Sequence, residues 1–468
     1  MHCWAPKTVK PAKPNLLLVH GFGANAMWQY GDLLRHFMPR FNIYVPDLLF
    51  FGDSTTKRPE RTEAFQAQCV MRLMERYGVQ KLSLVGISYG GFVGYSMAAQ
   101  FPQAVEKVVL CCTGVCLEEK DMRDGLFQVA DLDEAASILM PQTPDKLREL
   151  MKFAFVKPVK VVPSCFLSDY IDFPRSVTTD LEDGTVMHCW APKTVKPAKP
   201  NLLLVHGFGA NAMWQYGDLL RHFMPRFNIY VPDLLFFGDS TTKRPERTEA
   251  FQAQCVMRLM ERYGVQKLSL VGISYGGFVG YSMAAQFPQA VEKVVLCCTG
   301  VCLEEKDMRD GLFQVADLDE AASILMPQTP DKLRELMKFA FVKPVKVVPS
   351  CFLSDYIDVF CTDHIKQKKE LIQAILKDRQ ISNIPKIRQS TLIIWGEQDR
   401  IFPVELGHRL QTHIGEKTRL VVIKNAGHAV NIEKPKEFSR ELKSFLQSSS
   451  VSYSSQPQQP KYRLFSVT

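Results

Sequence analysis

No apolar run in this sequence approaches the roughly 18 residues that a membrane-spanning helix needs, so a helical membrane protein is excluded. The start, MHCWAPKTVKPAKPN, has no continuous apolar stretch before the strand-like LLLVH, and nothing in it reads as a secretory leader. There is no CxxC pair and no Cys/His spacing typical of a zinc site, so no bound metal is expected. A charge excess of one sign is also nearly absent. Lys+Arg against Asp+Glu is 19 to 18 in residues 1–172, and the same in 187–358. Residues 359–468 carry 18 against 10, which accounts for most of the net charge of +8. That excess is scattered along helical patterns. It reads as a solvated surface, not as a nucleic-acid or membrane patch.

What is present is an ordinary globular composition, 46% apolar and 23% charged. The 13 cysteines are odd in number and sit in apolar contexts such as VVLCCTG. There a thiol behaves as a small hydrophobe, and the expectation is reduced core thiols in a cytoplasmic protein.

An internal repeat decides the architecture. Met1 to Asp172 recurs without a mismatch as Met187 to Asp358, shifted by 186 positions. This period is far too long for a solenoid. Copy 1 runs into FPRSVTTDLEDGTV and then into copy 2, whereas copy 2 runs into VFCTDHIKQKK and further globular sequence. RSVTTDLED followed by TVMHCWAP reads as a β-hairpin with Asp183-Gly184 at its turn. Met187 falls inside the second strand of that hairpin. Copy 1 is therefore expected to lack a first strand and everything beyond Asp172. The predicted organisation is an incomplete duplicate over 1–172, a complete domain over 173–446 and a Ser/Gln/Pro-rich disordered tail over 447–468.

In the complete copy, NLLLVH, NIYVPDL, KLSLVGIS, VEKVVLCCT, STLIIWGEQD and TRLVVIKNA look like buried strands. Near-continuous apolar runs suit a parallel sheet covered on both faces. Helix-length segments alternate with them, so a doubly wound α/β fold is expected. Residues about 303–386 carry helical patterns and no convincing strand, and are expected to form a helical cap.

Four motifs carry chemistry. Gly272-Ile273-Ser274-Tyr275-Gly276 follows a strand and opens a helix, the pattern of a nucleophile elbow. It makes Ser274 the candidate nucleophile and the Tyr275 N–H a candidate oxyanion donor. His206-Gly207-Phe208-Gly209 follows an earlier strand. Its glycines allow close backbone approach, so the Phe208 N–H is the second candidate donor and His206 a brace for the loop. Gly396-Glu397-Gln398-Asp399 follows LIIW. Asp399 is the candidate acid, with Glu397 as its competitor. Asn425-Ala426-Gly427-His428 follows LVVIK and supplies the candidate base, His428; His408 and His413 read as ordinary helix residues.

These motifs, in the chain order Ser, Asp, His, resemble the α/β-hydrolase superfamily. HGFGANAMWQ, VPDLLFFGDS, VGISYGGFVGYSMA, WGEQDRIFP and NAGHAVNIEKP are similar to plant members of the branch with monoacylglycerol-lipase-like esterases and epoxide-hydrolase-like proteins. The resemblance implies an α/β-hydrolase fold and a serine esterase that needs no cofactor and cleaves a small-molecule ester, acylglycerol-like lipids included. Ser274 stands where epoxide hydrolases and haloalkane dehalogenases carry Asp, which argues against those activities. Other readings stay open: a hydrolase-fold small-molecule receptor with little turnover, or an inactive gene fusion. LMKFAFVKPVKVVPSCF (336–352) reads either as an acyl-binding wall or as the cap's own packing face. Ser88 sits in the same elbow in copy 1 but has no Asp or His of its own. The oligomeric state is not legible.

Overall fold

The computed structural model describes residues 1–448 apart from 7, 53, 119, 122–131, 142, 155–173, 310–317, 345–347, 349 and 377–378. The tail expected to be disordered lies, from residue 449 onward, outside the described residues.

Two separate sheets form. The first holds β1 (Cys3–Trp4), β2 (Asn15–Val19), β3 (Asn42–Pro46), β4 (Leu82–Ile87) and β5 (Val105–Cys111). Its strand order is β1-β3-β2-β4-β5. With it go α1 (Ala26–Phe37), α2 (Glu63–Arg76), α3 (Tyr89–Gln100), α4 (Leu132–Leu139) and α5 (Pro144–Ala154).

The second sheet begins with the hairpin β6 (Arg175–Asp180) and β7 (Thr185–Ala191), as the Asp183-Gly184 turn implied. Gly184 sits at φ 81°, a left-handed conformation that favours glycine. There follow β8 (Asn201–Val205), α6 (Ala212–Phe223), β9 (Asn228–Pro232), β10 (Thr241–Thr242), α7 (Glu249–Arg262), β11 (Leu268–Ile273), α8 (Tyr275–Gln286) and β12 (Val291–Cys297). After the cap come β13 (Ser390–Gly396), α9 (Val404–Ile414), β14 (Thr418–Ile423), the short α10 (Val430–Glu433) and α11 (Pro435–Gln447). The order is β10-β7-β9-β8-β11-β12-β13-β14, with β6 on β7. From β9 to β14 every pairing is parallel. The two-residue β10, which pairs antiparallel with β7, has no signal in the sequence.

Local chemistry sets the helix starts. Thr248 accepts from the Phe251 N–H at 3.2 Å, and Asn211 accepts from the Trp214 N–H at 2.9 Å. Each satisfies a backbone donor that a helix N-terminus leaves open. Between β12 and β13 the regular elements among the described residues are all helical, as expected for a cap: Glu305–Arg309, Leu318–Leu325, Pro330–Ala340, Ser350–Phe360 and Ile365–Leu376, then a 3₁₀ turn at Ile381–Asn383.

Identical sequence packs differently in the two copies. In the second, one hydrophobic core runs from Leu181 to Leu446 and takes in β7, β8, β9 and β11 to β14. In the first, the equivalent residues split into two smaller clusters. The contrast is sharpest at β5 and β12, which share the sequence VEKVVLC. Val294, Val295 and Leu296 are 0% exposed, whereas Val108, Val109 and Leu110 are 39%, 50% and 37% exposed. The cause is topological. β12 is covered by β13 and the helices that follow it, while β5 is, among the described residues, the last strand of its sheet.

Candidate active site

In the second sheet, β8 lies between β9 and β11, so the chain leaves β8 in one direction and returns on its other side. Such a reversal opens a crevice at the carboxyl ends of the strands. The loops after β8 and β11 both end there.

Ser274 joins β11 to α8 with φ 53° and ψ −119°, a strained conformation for a residue with a Cβ. Its surroundings hold it in place. Its N–H donates to the Cys297 carbonyl at 2.8 Å, and its carbonyl accepts from the Gly277 N–H at 2.9 Å. A Cβ on Gly272 would lie 2.3 Å from the Gly276 carbonyl oxygen, and one on Gly276 would lie 2.2 Å from that of Val205. Only glycine allows this close stacking of strand, turn and helix.

The loop after β8 abuts the serine, since a Cβ on Gly207 would lie 3.0 Å from the Cβ of Ser274. His206 is fully buried and braces this loop. Its Nε2 accepts from the Leu234 N–H at 2.9 Å, which leaves Nδ1–H to donate to the Gly207 carbonyl at 2.8 Å. Burial pushes this imidazole below its usual range. The Gly207 N–H donates to Gln215 Oε1. Among the described residues, no protein acceptor takes the N–H of Phe208 or of Tyr275.

The structure brings Ser274, Asp399 and His428 together. His428 Nε2 lies 3.0 Å from Ser274 Oγ, and His428 Nδ1 lies 2.9 Å from Asp399 Oδ2. The other oxygen of Asp399 accepts from the Ile401 and Phe402 N–H groups, both at 2.9 Å. The Asp399 side chain is fully shielded from water, so its charge is held by these hydrogen bonds instead of by solvent. Glu397 points elsewhere and accepts from the Asn425 N–H at 3.1 Å. His408 and His413 lie on α9.

Two neighbours were missed by sequence reading. Glu433 accepts from the Gly427 N–H at 2.7 Å and from the Val342 N–H at 3.0 Å. It ties the loop bearing His428 to the cap, and a second tie runs from the Ala429 N–H to the Ala340 carbonyl at 3.0 Å. Cys298 is buried with its sulfur among the Asp399 and His428 ligand atoms, all within 4.8 Å of one another. Burial pushes its thiol well above the usual range, and His428 and Asp399 already pair with each other. No spacing in the sequence marks either residue.

Ser88 repeats the elbow, at φ 53° and ψ −119°. Its hydroxyl, however, is exposed, and among the described residues it has no hydrogen-bond partner.

A parallel sheet wrapped by helices, with a serine on a sharp strand-to-helix turn beneath a helical cap, defines the α/β-hydrolase class. A family model of the alpha/beta hydrolase fold matches residues 14–159 and again 200–346, and the chain belongs to this family. A monoacylglycerol lipase of Bos taurus is 26% identical over 313 residues, covering 63% of this chain and 90% of the lipase. A 2-hydroxy-6-oxo-2,4-heptadienoate hydrolase of Pseudomonas putida is 28% identical over 262 residues, covering 52% of this chain and 88% of its own length. Among solved structures, a putative lipase of Acinetobacter baumannii superposes with a TM-score of 0.51 at 18% identity, covering 62% of this chain and 98% of its own. The last similarity concerns the fold alone.

Proposed function

We propose that the chain is a serine hydrolase of carboxylic esters, with Ser274 as nucleophile, His428 as base and Asp399 as the group that orients the base. The observation that carries this reading is the unbroken contact chain from Ser274 Oγ through the His428 ring to the shielded Asp399 carboxylate. With Nδ1–H donating to Asp399, Nε2 presents its lone pair to the serine hydroxyl. The hydroxyl proton then passes to Nε2 as Oγ attacks the ester carbonyl. The imidazolium that forms lies against a carboxylate. The Phe208 and Tyr275 N–H groups receive the developing oxyanion. His428 returns its proton to the leaving alcohol, and water, activated the same way, releases the acid from the acyl-enzyme.

An acylglycerol-like ester is the proposed substrate class, supported by the similarity to monoacylglycerol lipase. The apolar cap stretch 336–352, described apart from 345–347 and 349, is the proposed acyl-binding wall. A cytoplasmic setting is proposed on the free thiols of the described cysteines. No helix among the described residues is long and apolar enough to cross a membrane.

The test is ester hydrolysis by Ser274→Ala and Asp399→Asn. Ser274→Ala is expected to retain the fold and lose essentially all turnover. Asp399→Asn is expected to lose about 10⁴-fold in kcat, as when a triad imidazole is left in the wrong tautomer. Full turnover in Ser274→Ala sinks the assignment. A set of esters of rising acyl length tests the wall, and equal rates across the set remove it.

A further inference from the structure

We propose that Ser88 is a second, latent nucleophile, completed when the lobe carrying Asp399 and His428 docks onto β5 of a second copy of this chain. The inference rests on the reading of Ser274 given above and extends it to the duplicate.

The argument starts from identity. β5 and β12 have the same seven residues, VEKVVLC, and lead from the same elbow. In the complete domain, β12 pairs with β13 in parallel register, from Lys293 opposite Ser390 to Cys297 opposite Ile394. β5 offers the same backbone donors and acceptors, and among the described residues no strand of its sheet takes them. An edge strand with exposed Val108, Val109 and Leu110 is a template for further pairing. The segment that pairs with its sequence twin β12 is β13.

The side chains agree with the backbone. Tyr281 donates through its hydroxyl to the Pro385 carbonyl at 2.7 Å, and Lys293 Nζ donates to the Phe445 carbonyl at 3.1 Å. Their equivalents, Tyr95 and Lys107, are exposed in copy 1, Tyr95 at 56%. Gln389 donates to the Ala284 carbonyl at 2.8 Å, and Ala98 presents the same carbonyl. The cap tie is preserved too, because Ala154, which ends α5, corresponds to Ala340. Docked in the β12 register, the lobe would put His428 Nε2 against Ser88 Oγ as it lies against Ser274 Oγ.

Each chain has two acceptor lobes and one donor lobe. The donor is tethered to copy 2, so its effective concentration there is high and the exchanged arrangement is the minor one. It forms while chains fold side by side, because residues 390–446 are made last and can meet the β5 edge of a neighbouring chain before they settle on their own β12. Exchange of an identical element between chains is domain swapping.

Two full-length variants test this. Ser274→Ala/His428→Ala retains Ser88 but has no base. Ser88→Ala/Ser274→Ala retains the Asp399–His428 lobe but has neither elbow serine. They are unfolded together, refolded as a mixture and labelled with a fluorophosphonate, and the modified serine is mapped. A minor fraction of Ser88 in the mixture is expected to label about 100-fold faster than Ser88 in the first variant refolded alone, the lower end of what a positioned base supplies. The labelled species is expected to elute as a dimer or larger. An unchanged Ser88 rate in the mixture overturns the proposal, as does equally fast labelling of the first variant alone. Wild-type chain labelled in parallel reports on Ser274 and separates failure of this inference from failure of the esterase reading.

Discussion

At the scale of single residues, backbone strain is concentrated at Ser274, the proposed nucleophile. Ser274 holds φ 53° because the elbow glycines pack strand, turn and helix too closely for any relaxed alternative. Alanine at that position inherits the strain, while glycine does not. Ser274→Gly is therefore expected to be more stable than Ser274→Ala by about 1 kcal/mol, read by thermal unfolding, with both inactive. A lower Tm for the glycine variant contradicts the strain. His206 gives a pH dependence. Burial holds its folded pKa below the usual 6.5, so between those values the unfolded chain binds more protons, and stability rises with pH. The His206 contribution is complete above about pH 6.5 and is lost as pH falls through the folded value. The Tm is expected to drop on acidification below that pH, and to drop less steeply in His206→Asn. His20, also shifted down by burial, adds to the wild-type slope. Identical slopes in the two proteins dismiss this role.

At the scale of elements, the crevice follows from the reversal at β8, which brings the Phe208 loop beside the Ser274 turn, while β13 and β14 deliver Asp399 and His428 from the far side. The cap is fastened to this arrangement through Glu433. Loss of its bonds to the Gly427 and Val342 N–H groups frees the loop that positions His428. If that weakens the transition state by about 1.4 kcal/mol, Glu433→Ala slows kcat about tenfold with the fold retained. Unchanged kcat rules out the positioning role. The strands of the complete copy were legible because a parallel sheet buried on both faces writes itself as unbroken apolar runs. Ser274, Asp399 and His428 stand out in the sequence because each follows such a run through a Gly-bearing turn. Glu433 was not, because a glutamate on the short α10 looks the same whether it faces water or two backbone amides. Cys298 was not, because its place beside Asp399 depends on β12 and β13 pairing. β10 was not, because two threonines carry no periodicity.

At the scale of the whole molecule, one sequence in two contexts shows how far packing depends on neighbours. The VEKVVLC strand is core in one lobe and half-open edge in the other. A protein comprising residues 173–468 keeps the joined core and discards the open edge. It is expected to be more soluble than the full chain and at least as active per mole. A full-length chain that is monomeric, fully soluble and protease-resistant across residues 1–172 contradicts that expectation.

Activation of Ser274 by the Asp399–His428 lobe of its own chain is read by labelling the full-length protein with a fluorophosphonate and mapping the adduct. The predicted result is predominant modification of Ser274 that disappears in His428→Ala. Modification chiefly at Ser88, or labelling of Ser274 that is indifferent to His428, would contradict it.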